Sequence, residues 1–190
     1  QAGISADLLM LRLPMPSEIP ELVALTQYSL NSQFCVIQQI EEECARQNKR
    51  HKVILMADEG DLREGYWDKA QLTQDAVRIE QQLQYVSLAG VGVNLGCYGS
   101  VLPSRENLGE LVQIAREIEQ RIGRKLEIVS GGATTSLHLM LTGAMPEEIN
   151  HLRVGEAIMN ARDLHDRRGM NTEFLDPHVV TLKAEVVEVF

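Results

Sequence analysis

The sequence predicts an α/β fold in which a parallel sheet is flanked by helices, forming part of a (β/α)8 barrel. Apolar runs of strand length alternate with segments of helical period along the first 157 residues. Several runs are apolar throughout, as expected for strands that are buried on both faces. Right-handed crossovers between such strands place the helices outside the sheet. Six candidate strands precede residue 157, whereas a closed barrel of this kind has eight, so we expect an incomplete barrel.

The candidate strands are short apolar runs that end at proline, glycine or polar residues. The run KVILMAD is typical of a strand buried on both faces, and Pro14 ends the first run. The six runs span residues 7–14, 29–32, 52–58, 86–95, 125–132 and 151–157.

Between the strands, apolar residues recur with helical spacing. The clearest helix has Ser104 as its N-cap and Gly123 as its C-terminal stop. The other predicted helices begin near Ser17 or span residues 33–49, 71–83 and 135–142, beside the clearest one at 105–123.

The last residues change period from helical to alternating. Val180, Leu182 and Ala184 alternate with polar residues, which is typical of a strand with one wet face. We therefore expect residues 1–176 to form the partial barrel and residues 177–190 to begin a C-terminal antiparallel β domain. The chain has no initiating methionine, which favours a piece of a longer protein, with about barrel strands three to eight present.

Composition excludes several classes of function. The formal net charge of −9 argues against nucleic acid and anionic membranes as partners. Three cysteines without a CxxC pair favour a reducing, cytoplasmic setting with no disulfide framework. The five histidines show no HxxxH spacing, so we expect no metal site.

The stretch IVSGGATTSL, residues 128–137, has the highest density of small and hydroxyl side chains in the chain. Gly131 and Gly132 permit a close backbone approach to a ligand, and Thr134 to Ser136 would lie in the first turn of a helix. Free N–H groups there favour an anion, most often phosphate. The same residues also fit a helix N-cap with turn glycines and no ligand, and these residues alone leave both interpretations open.

Three further polar residues follow or lie within predicted strands. Arg63 comes shortly after a buried run, where a guanidinium needs either an anionic ligand or an internal salt bridge. Arg153 lies inside an apolar run two residues before Gly155, which favours a functional role. Asn94, taken alone, fits a loop amide better than a site residue. Its surrounding glycines are spaced GxGxxxG, not GxGxxG, so we reject a dinucleotide site.

Four motifs together resemble the amino-acid racemases of the alanine racemase class. HKVILMADEGDLREG, GVGVNLGCYGS, LEIVSGGATTSL and INHLRVGEAI occur in the family's order and are most similar to the ornithine-racemase-like branch. The resemblance covers essentially the whole chain. It implies a TIM-type (β/α)8 barrel that binds pyridoxal 5′-phosphate, a following β domain, a small amino-acid substrate and a homodimer in the full-length enzyme.

The resemblance also implies roles for individual residues. Arg63 matches the arginine that faces the cofactor's phenolic oxygen and the substrate carboxylate. Asn94 falls where alanine racemases place a histidine beside the cofactor ring. Arg153 matches the arginine bonded to the pyridine nitrogen, and Ala133 stands where relatives often have asparagine. The residues matched to the phosphate site are Gly132, Thr134, Thr135, Ser136, Gly155 and Glu156.

Neither catalytic base of the family is found in this sequence. The Schiff-base lysine of the class belongs to the first barrel strand, and none of the five lysines has such a position. The second base, a tyrosine of the β domain, would follow Phe190. We therefore expect a racemase whose fragment is inactive by itself. A non-catalytic carrier of the same barrel type is the alternative, as is a structural remnant that binds no cofactor.

Overall fold

The computed structural model describes residues 3, 5–97, 101–159, 163–167, 169–173, 175, 179, 181, 183–185 and 188. The chain divides into two compact units, Gln1–Arg153 and Val154–Phe190. The first unit carries the sheet, and each unit is described by itself below.

The first unit contains a six-stranded sheet in which every strand is parallel to its neighbours and the spatial order follows the chain. This arrangement confirms the predicted parallel sheet and the count of six strands. Because all the strands run the same way, their carboxyl ends lie along one edge of the sheet. The strands are β1 Leu9–Met10, β2 Tyr28–Asn31, β3 His51–Ala57, β4 Val86–Val93, β5 Ile128–Ala133 and β6 His151–Arg153.

Helices connect successive strands, as predicted. Ser104 caps the fourth helix through its side chain, and Gly123 ends that helix with a φ of 74°. A 3-10 turn, Pro16–Glu18, leads into the first helix, and a second one, Thr134–Ser136, leads into the fifth. The helices of the first unit are α1 Ile19–Leu25, α2 Phe34–Gln47, α3 Lys69–Gln82, α4 Arg105–Ile122 and α5 Leu137–Leu141.

Several predicted boundaries are wrong, including the start of β5, which lies at Ile128 instead of residue 125. Three of the differences have a physical reason. β1 contains two residues instead of eight, because its partner β2 extends for only four and pairs with it at two positions. α3 begins earlier than expected, because the Asp68 carboxylate accepts hydrogen bonds from two backbone N–H groups and caps the helix there. β6 ends at Arg153, because a helix already begins at Glu156 in the second unit.

The main core lies between the sheet and the helices. Val53, Leu55 and Ala57 of β3 point towards this layer, and Ile37 and Ile40 of α2 are fully buried in the same cluster. Residues of opposite parity point to the other face of the sheet. They form a smaller cluster made of Tyr28, Leu30, Ile54, Met56 and Ala89. Strands that are apolar on both faces are the signature expected of a barrel wall.

Three polar side chains form a cluster at the N-terminal end of the strands, on the face of the sheet that carries the smaller apolar cluster. The Tyr28 hydroxyl donates to Glu127 over 2.7 Å, and Lys52 Nζ donates to the same carboxylate over 2.8 Å. Lys52 also lies 5.0 Å from the centroid of the Tyr28 ring. These contacts tie β2, β3 and the start of β5 together at the end of the strands opposite to their carboxyl edge.

Three buried polar side chains form a hydrogen-bonded cluster between β2 and β3. His51 Nε2 lies 2.9 Å from Ser29 Oγ, which in turn hydrogen-bonds Asn31 Oδ1 over 2.8 Å. All three side chains are buried. Burial lowers the pKa of His51 to about 4, although the Thr26 carbonyl favours the protonated form.

β4 and β5 approach each other unusually closely at one glycine. A Cβ added at Gly90 would lie 1.8 Å from the carbonyl oxygen of Ile128, its register partner. This position therefore excludes every side chain.

The second unit contains α6, Glu156–Met159, and a π-helical turn over Asp163–Arg167. The predicted tail strand lies mostly outside the described residues, so the expected β domain remains a prediction. Among the helices that the structure describes, none has the length and apolar character required to cross a bilayer.

Candidate active site

Polar residues predicted from the sequence gather at the carboxyl edge of the sheet. Arg63 follows β3, Asn94 follows β4, Thr134 follows β5 and Arg153 ends β6. Because the strands are parallel and adjacent, these residues lie on four consecutive strands or their loops. The first unit therefore brings its predicted site residues to one edge.

The turn Thr134–Ser136, called the hydroxyl turn, follows β5 directly. All three of its side chains are buried, and Ser136 Oγ has no hydrogen-bond partner in the described part of the protein. Gly132 has a φ of +108°, and a Cβ there would lie 2.5 Å from that hydroxyl. A buried hydroxyl without a partner is costly, so this turn has an unmet capacity for a polar ligand.

Arg153 is held by two neighbouring strands. Its Nη1 donates to Ser130 Oγ over 2.5 Å, and its Nη2 donates to the carbonyl of Val93 over 2.8 Å. Burial lowers the pKa of this guanidinium, and the nearby Glu64 carboxylate opposes the effect. The guanidinium is thus fixed in orientation at the ends of β4, β5 and β6.

The segment after β4, residues 94–97, is called the Asn94 loop. Asn94 is buried, and its Oδ1 accepts a weak hydrogen bond from Cys97 Sγ at 3.5 Å. Thr135 Oγ1 donates to the Leu95 carbonyl over 2.7 Å, and Gly96 lies against the Thr135 side chain. Asn94 is therefore a fixed amide next to the hydroxyl turn.

The segment after β3, residues 58–66, is called the Arg63 loop. The Asp58 carboxylate accepts from the N–H groups of Gly60 and Leu62 at 2.9 and 3.1 Å, which folds the loop back on itself. Arg63 keeps its side chain about half exposed, and its ion pair is with Glu64, at 3.8 Å, instead of Asp58. Hydrogen bonds thus hold the base of the loop, whereas its arginine is accessible to solvent.

The acidic residues of the Arg63 loop have structural partners. Glu59 pairs with Lys69 at 3.0 Å, and burial raises its pKa. Asp61 is buried and accepts from the N–H of Gly96 at 3.2 Å. The Asp61 contact joins the Arg63 loop to the Asn94 loop, which itself contacts the hydroxyl turn through Thr135.

Three residues near the predicted site were missed by the sequence analysis. Glu64 acts on both Arg63 and Arg153. Ser130 accepts a hydrogen bond from Arg153, and His151 hydrogen-bonds Ser130. Glu64 stands beside Arg63 in the sequence, and His151 stands two residues before Arg153 on the same strand. Alternation along β6 could have indicated that His151 and Arg153 share a face.

The lysines of the first unit have partners of their own, and Lys69 contacts the Arg63 loop through Glu59. Lys49 donates to the carbonyls of Val23 and Ala24, and Lys125 pairs with Glu119. Lys52 and Lys69 have the carboxylate partners given above. That none of them serves as a Schiff-base lysine stays a prediction.

Gly155 and Glu156 lie in the second unit, at the start of α6. Gly155 is exposed, and a Cβ there would meet nothing within 4 Å, so its own surroundings do not require glycine. Among the residues that the structure describes, no group of three or more histidine, cysteine, aspartate and glutamate side chains could hold a metal ion.

Comparison with known sequences gives a consistent family. Residues 1–163 match the alanine racemase N-terminal domain. The chain is 38% identical over 189 residues to lysine racemase of Thermotoga maritima, an alignment that covers 100% of this chain and 51% of that protein. It is 38% identical over 183 residues to ornithine racemase of Acetoanaerobium sticklandii, covering 95% of this chain and 50% of that protein. The chain thus spans about half the length of these relatives.

Solved structures show the same fold. The alanine racemase of Streptomyces lavendulae superposes with a TM-score of 0.67 at 20% identity, covering 84% of this chain and 41% of that one. PipY of Synechococcus elongatus, solved with pyridoxal phosphate bound, gives 0.65 at 18% identity, covering 80% and 70%. The predicted barrel class is therefore confirmed, and the chain belongs to the alanine racemase N-terminal domain family.

Proposed function

We propose that the chain is the cofactor-binding part of a pyridoxal 5′-phosphate-dependent amino-acid racemase. The observation that carries this proposal is the pairing of a fixed guanidinium, Arg153, with the buried and unpartnered hydroxyl of Ser136 at the same edge of one sheet. The first suits a ring nitrogen and the second suits a phosphate. Two relatives named as racemases, each 38% identical to this chain, support the same proposal.

The described residues fit this cofactor at its phosphate end. Gly132 leaves a space that a Cβ would fill, next to the Ser136 hydroxyl. Thr134 and Thr135 add two buried hydroxyl side chains in the same turn. Backbone N–H groups and hydroxyls are the donors that bind phosphate in many proteins. In our proposal Gly155 and Glu156 add backbone donors, as the family resemblance implies.

The fit at the ring end depends on arginine chemistry. An arginine stays protonated and can only donate, so a ring nitrogen that accepts from Arg153 carries no proton of its own. Pyridoxal phosphate, when bound, supplies an electron sink that makes the α-proton of an amino acid acidic. A ring without a protonated nitrogen is a weaker sink, which suits reversible proton removal. In our proposal Arg63 faces the substrate carboxylate and Asn94 lies beside the ring.

The test uses two proteins. The first is the chain of residues 1–190, which we expect to bind pyridoxal phosphate without racemising amino acids. The second is the chain extended by the segments that carry the two catalytic bases. We expect this longer protein to interconvert the enantiomers of lysine or ornithine, and the reaction is measured by chiral chromatography. We propose that this longer enzyme is a homodimer.

Two results would contradict the proposal. If equilibrium dialysis shows no affinity of the chain for pyridoxal phosphate or inorganic phosphate, the chain is a structural remnant. If the extended protein binds the cofactor but leaves lysine, ornithine and alanine unchanged, it is a carrier without turnover. Lys49→Gln is the matched control, because this lysine caps a helix away from the site and its loss should change neither result.

A further inference from the structure

We propose that His151 is a positioning residue that holds Arg153 through the Ser130 hydroxyl, and that it does so only in its neutral form. The chain of hydrogen bonds, called the relay, runs from Arg153 Nη1 to Ser130 Oγ over 2.5 Å and from Ser130 Oγ to His151 Nδ1 over 2.8 Å. The expected effect of the relay on pyridoxal phosphate binding rests on the proposed function. The direction of the relay follows from the geometry alone.

The direction of the relay is set at the arginine. A guanidinium has only donors, so Ser130 Oγ accepts from Arg153. The serine hydroxyl has one proton, and Ser130 is fully buried, which makes an unpaired proton costly. Among the described residues its other contact is His151 Nδ1, so this nitrogen accepts and carries no proton. His151 is thereby fixed as the neutral tautomer that carries its proton on Nε2.

Protonation of His151 would reverse one bond of the relay. Nδ1 would become a donor, and Ser130 Oγ would then receive two donors while its own proton lost its acceptor. It would also place a second cation close to the Arg153 guanidinium. Burial and the charge of Arg153 both lower the pKa of His151, which agrees with a neutral ring.

Within the part of the chain that the structure describes, the elements packed against β6 place no compensating negative charge on His151. β6 packs against β5 and against the hydroxyl turn, and neither contributes a titratable side chain. Arg153 is the charged neighbour on β6 itself. Glu64, Arg63 and Cys97 act on Arg153 from the loops that follow β3 and β4. The relay is therefore the path by which protonation of His151 reaches the guanidinium.

The consequence concerns the orientation of Arg153. Val93 and Ser130 support its two terminal nitrogens from different strands, so loss of the serine contact leaves one support. A less constrained guanidinium binds a ring nitrogen less well, because more motion must be lost on binding. The affinity for pyridoxal phosphate should then fall, whereas the affinity for inorganic phosphate should not.

The first experiment tests the relay in the chain without cofactor. Nitrogen-15 NMR at pH 8 is expected to show His151 Nδ1 unprotonated, with a signal that moves when Ser130→Ala removes the hydroxyl. A ring that carries its proton on Nδ1, or an Nδ1 signal that ignores the S130A substitution, would overturn the relay.

The second experiment tests its consequence for binding. S130A is expected to weaken pyridoxal phosphate affinity about tenfold, as for the loss of one hydrogen bond to a charged group, and to leave inorganic phosphate affinity unchanged. H151N keeps an acceptor near the Nδ1 position and cannot be protonated, so it should bind as the parent does at pH 8. As the pH falls through the lowered pKa of His151, the parent should lose affinity relative to H151N.

A control separates the relay from the proposed function. H165N alters an exposed histidine of the second unit and should follow the parent at every pH. If no variant or parent binds pyridoxal phosphate, the proposed function fails, and the NMR result still decides the relay. If the parent binds but S130A binds equally well, the relay has no role in binding and the inference fails.

Discussion

His51 makes the stability of the fold sensitive to acid. It lies buried between β2 and β3 and hydrogen-bonds Ser29, and burial lowers its pKa to about 4. In the unfolded chain the same ring has its ordinary pKa of 6.5. Between these two values the unfolded state binds a proton that the folded state does not. The folded state therefore has its full stability above pH 6.5 and loses stability as the pH falls towards 4.

The magnitude follows from the difference between the two pKa values. A pKa that is lower by about 2.5 corresponds to about 3 kcal/mol at pH 4, at about 1.4 kcal/mol for each unit. At pH 5 the loss is about 2 kcal/mol by the same relation. Domains of this size are stable by about 5–15 kcal/mol, so a loss of this size is readily measured.

The assay is urea unfolding followed by circular dichroism at pH 7, 6, 5 and 4. His51→Gln is expected to be less stable at pH 7, because it loses the ring's contact with Ser29, but to lose about 3 kcal/mol less than the parent between pH 7 and 4. His165→Gln removes an exposed histidine and should keep the parent's profile. If H51Q and the parent lose equal stability, the reasoning is refuted. If H51Q does not fold, an NMR titration of the folded parent decides the question. A pKa of His51 near 6.5 in that titration would also refute the reasoning.

Four substitutions test other positions. Gly90→Ala should cost about 3 kcal/mol or more, because its methyl would overlap the adjacent strand, whereas Gly109→Ala on the open side of α4 should add about 0.5–1 kcal/mol. Equal urea midpoints for the two variants would contradict this. Tyr66→Phe should lower stability by about 1–2 kcal/mol, because the buried Asp75 carboxylate loses a donor at 3.0 Å; an unchanged thermal midpoint would argue against it. Gly132→Ala should weaken inorganic phosphate binding at least about tenfold in equilibrium dialysis, and unaltered binding would remove the hydroxyl turn from the site.

Local signals in the sequence were sufficient for the fold. Apolar runs of strand length, alternating with segments of helical period, predicted all six strands. The Ser104 and Gly123 signals located both ends of α4. These features depend on neighbours within a few positions, which is why they can be found without coordinates. The length of β1 could not be predicted in this way, because it depends on how many residues of β2 pair with it.

The candidate site was predictable only in its obvious polar residues. Arg153 and the hydroxyl turn stand out because guanidinium and hydroxyl groups interrupt apolar runs. The role of Ser130 depends on contacts with two residues on another strand, 21 and 23 positions away. Nothing near Ser130 in the sequence marks it, since a small residue in a strand is ordinary. The interaction of Glu64 with both arginines could be recognised only from the structure, which places its carboxylate near Arg63 and Arg153.

The contacts that join Asp61 to Gly96, Thr135 to Leu95 and Arg153 to Val93 have a consequence for engineering. The first two contacts join the loops of adjacent strands, and the third reaches from β6 past β5 to β4. In every case one partner is a backbone group. A loop transplanted alone from another member of the family would have to reproduce the backbone path of its neighbours as well as its own side chains. Grafting of these loops therefore calls for transfer of the segments after β3, β4 and β5 as one set.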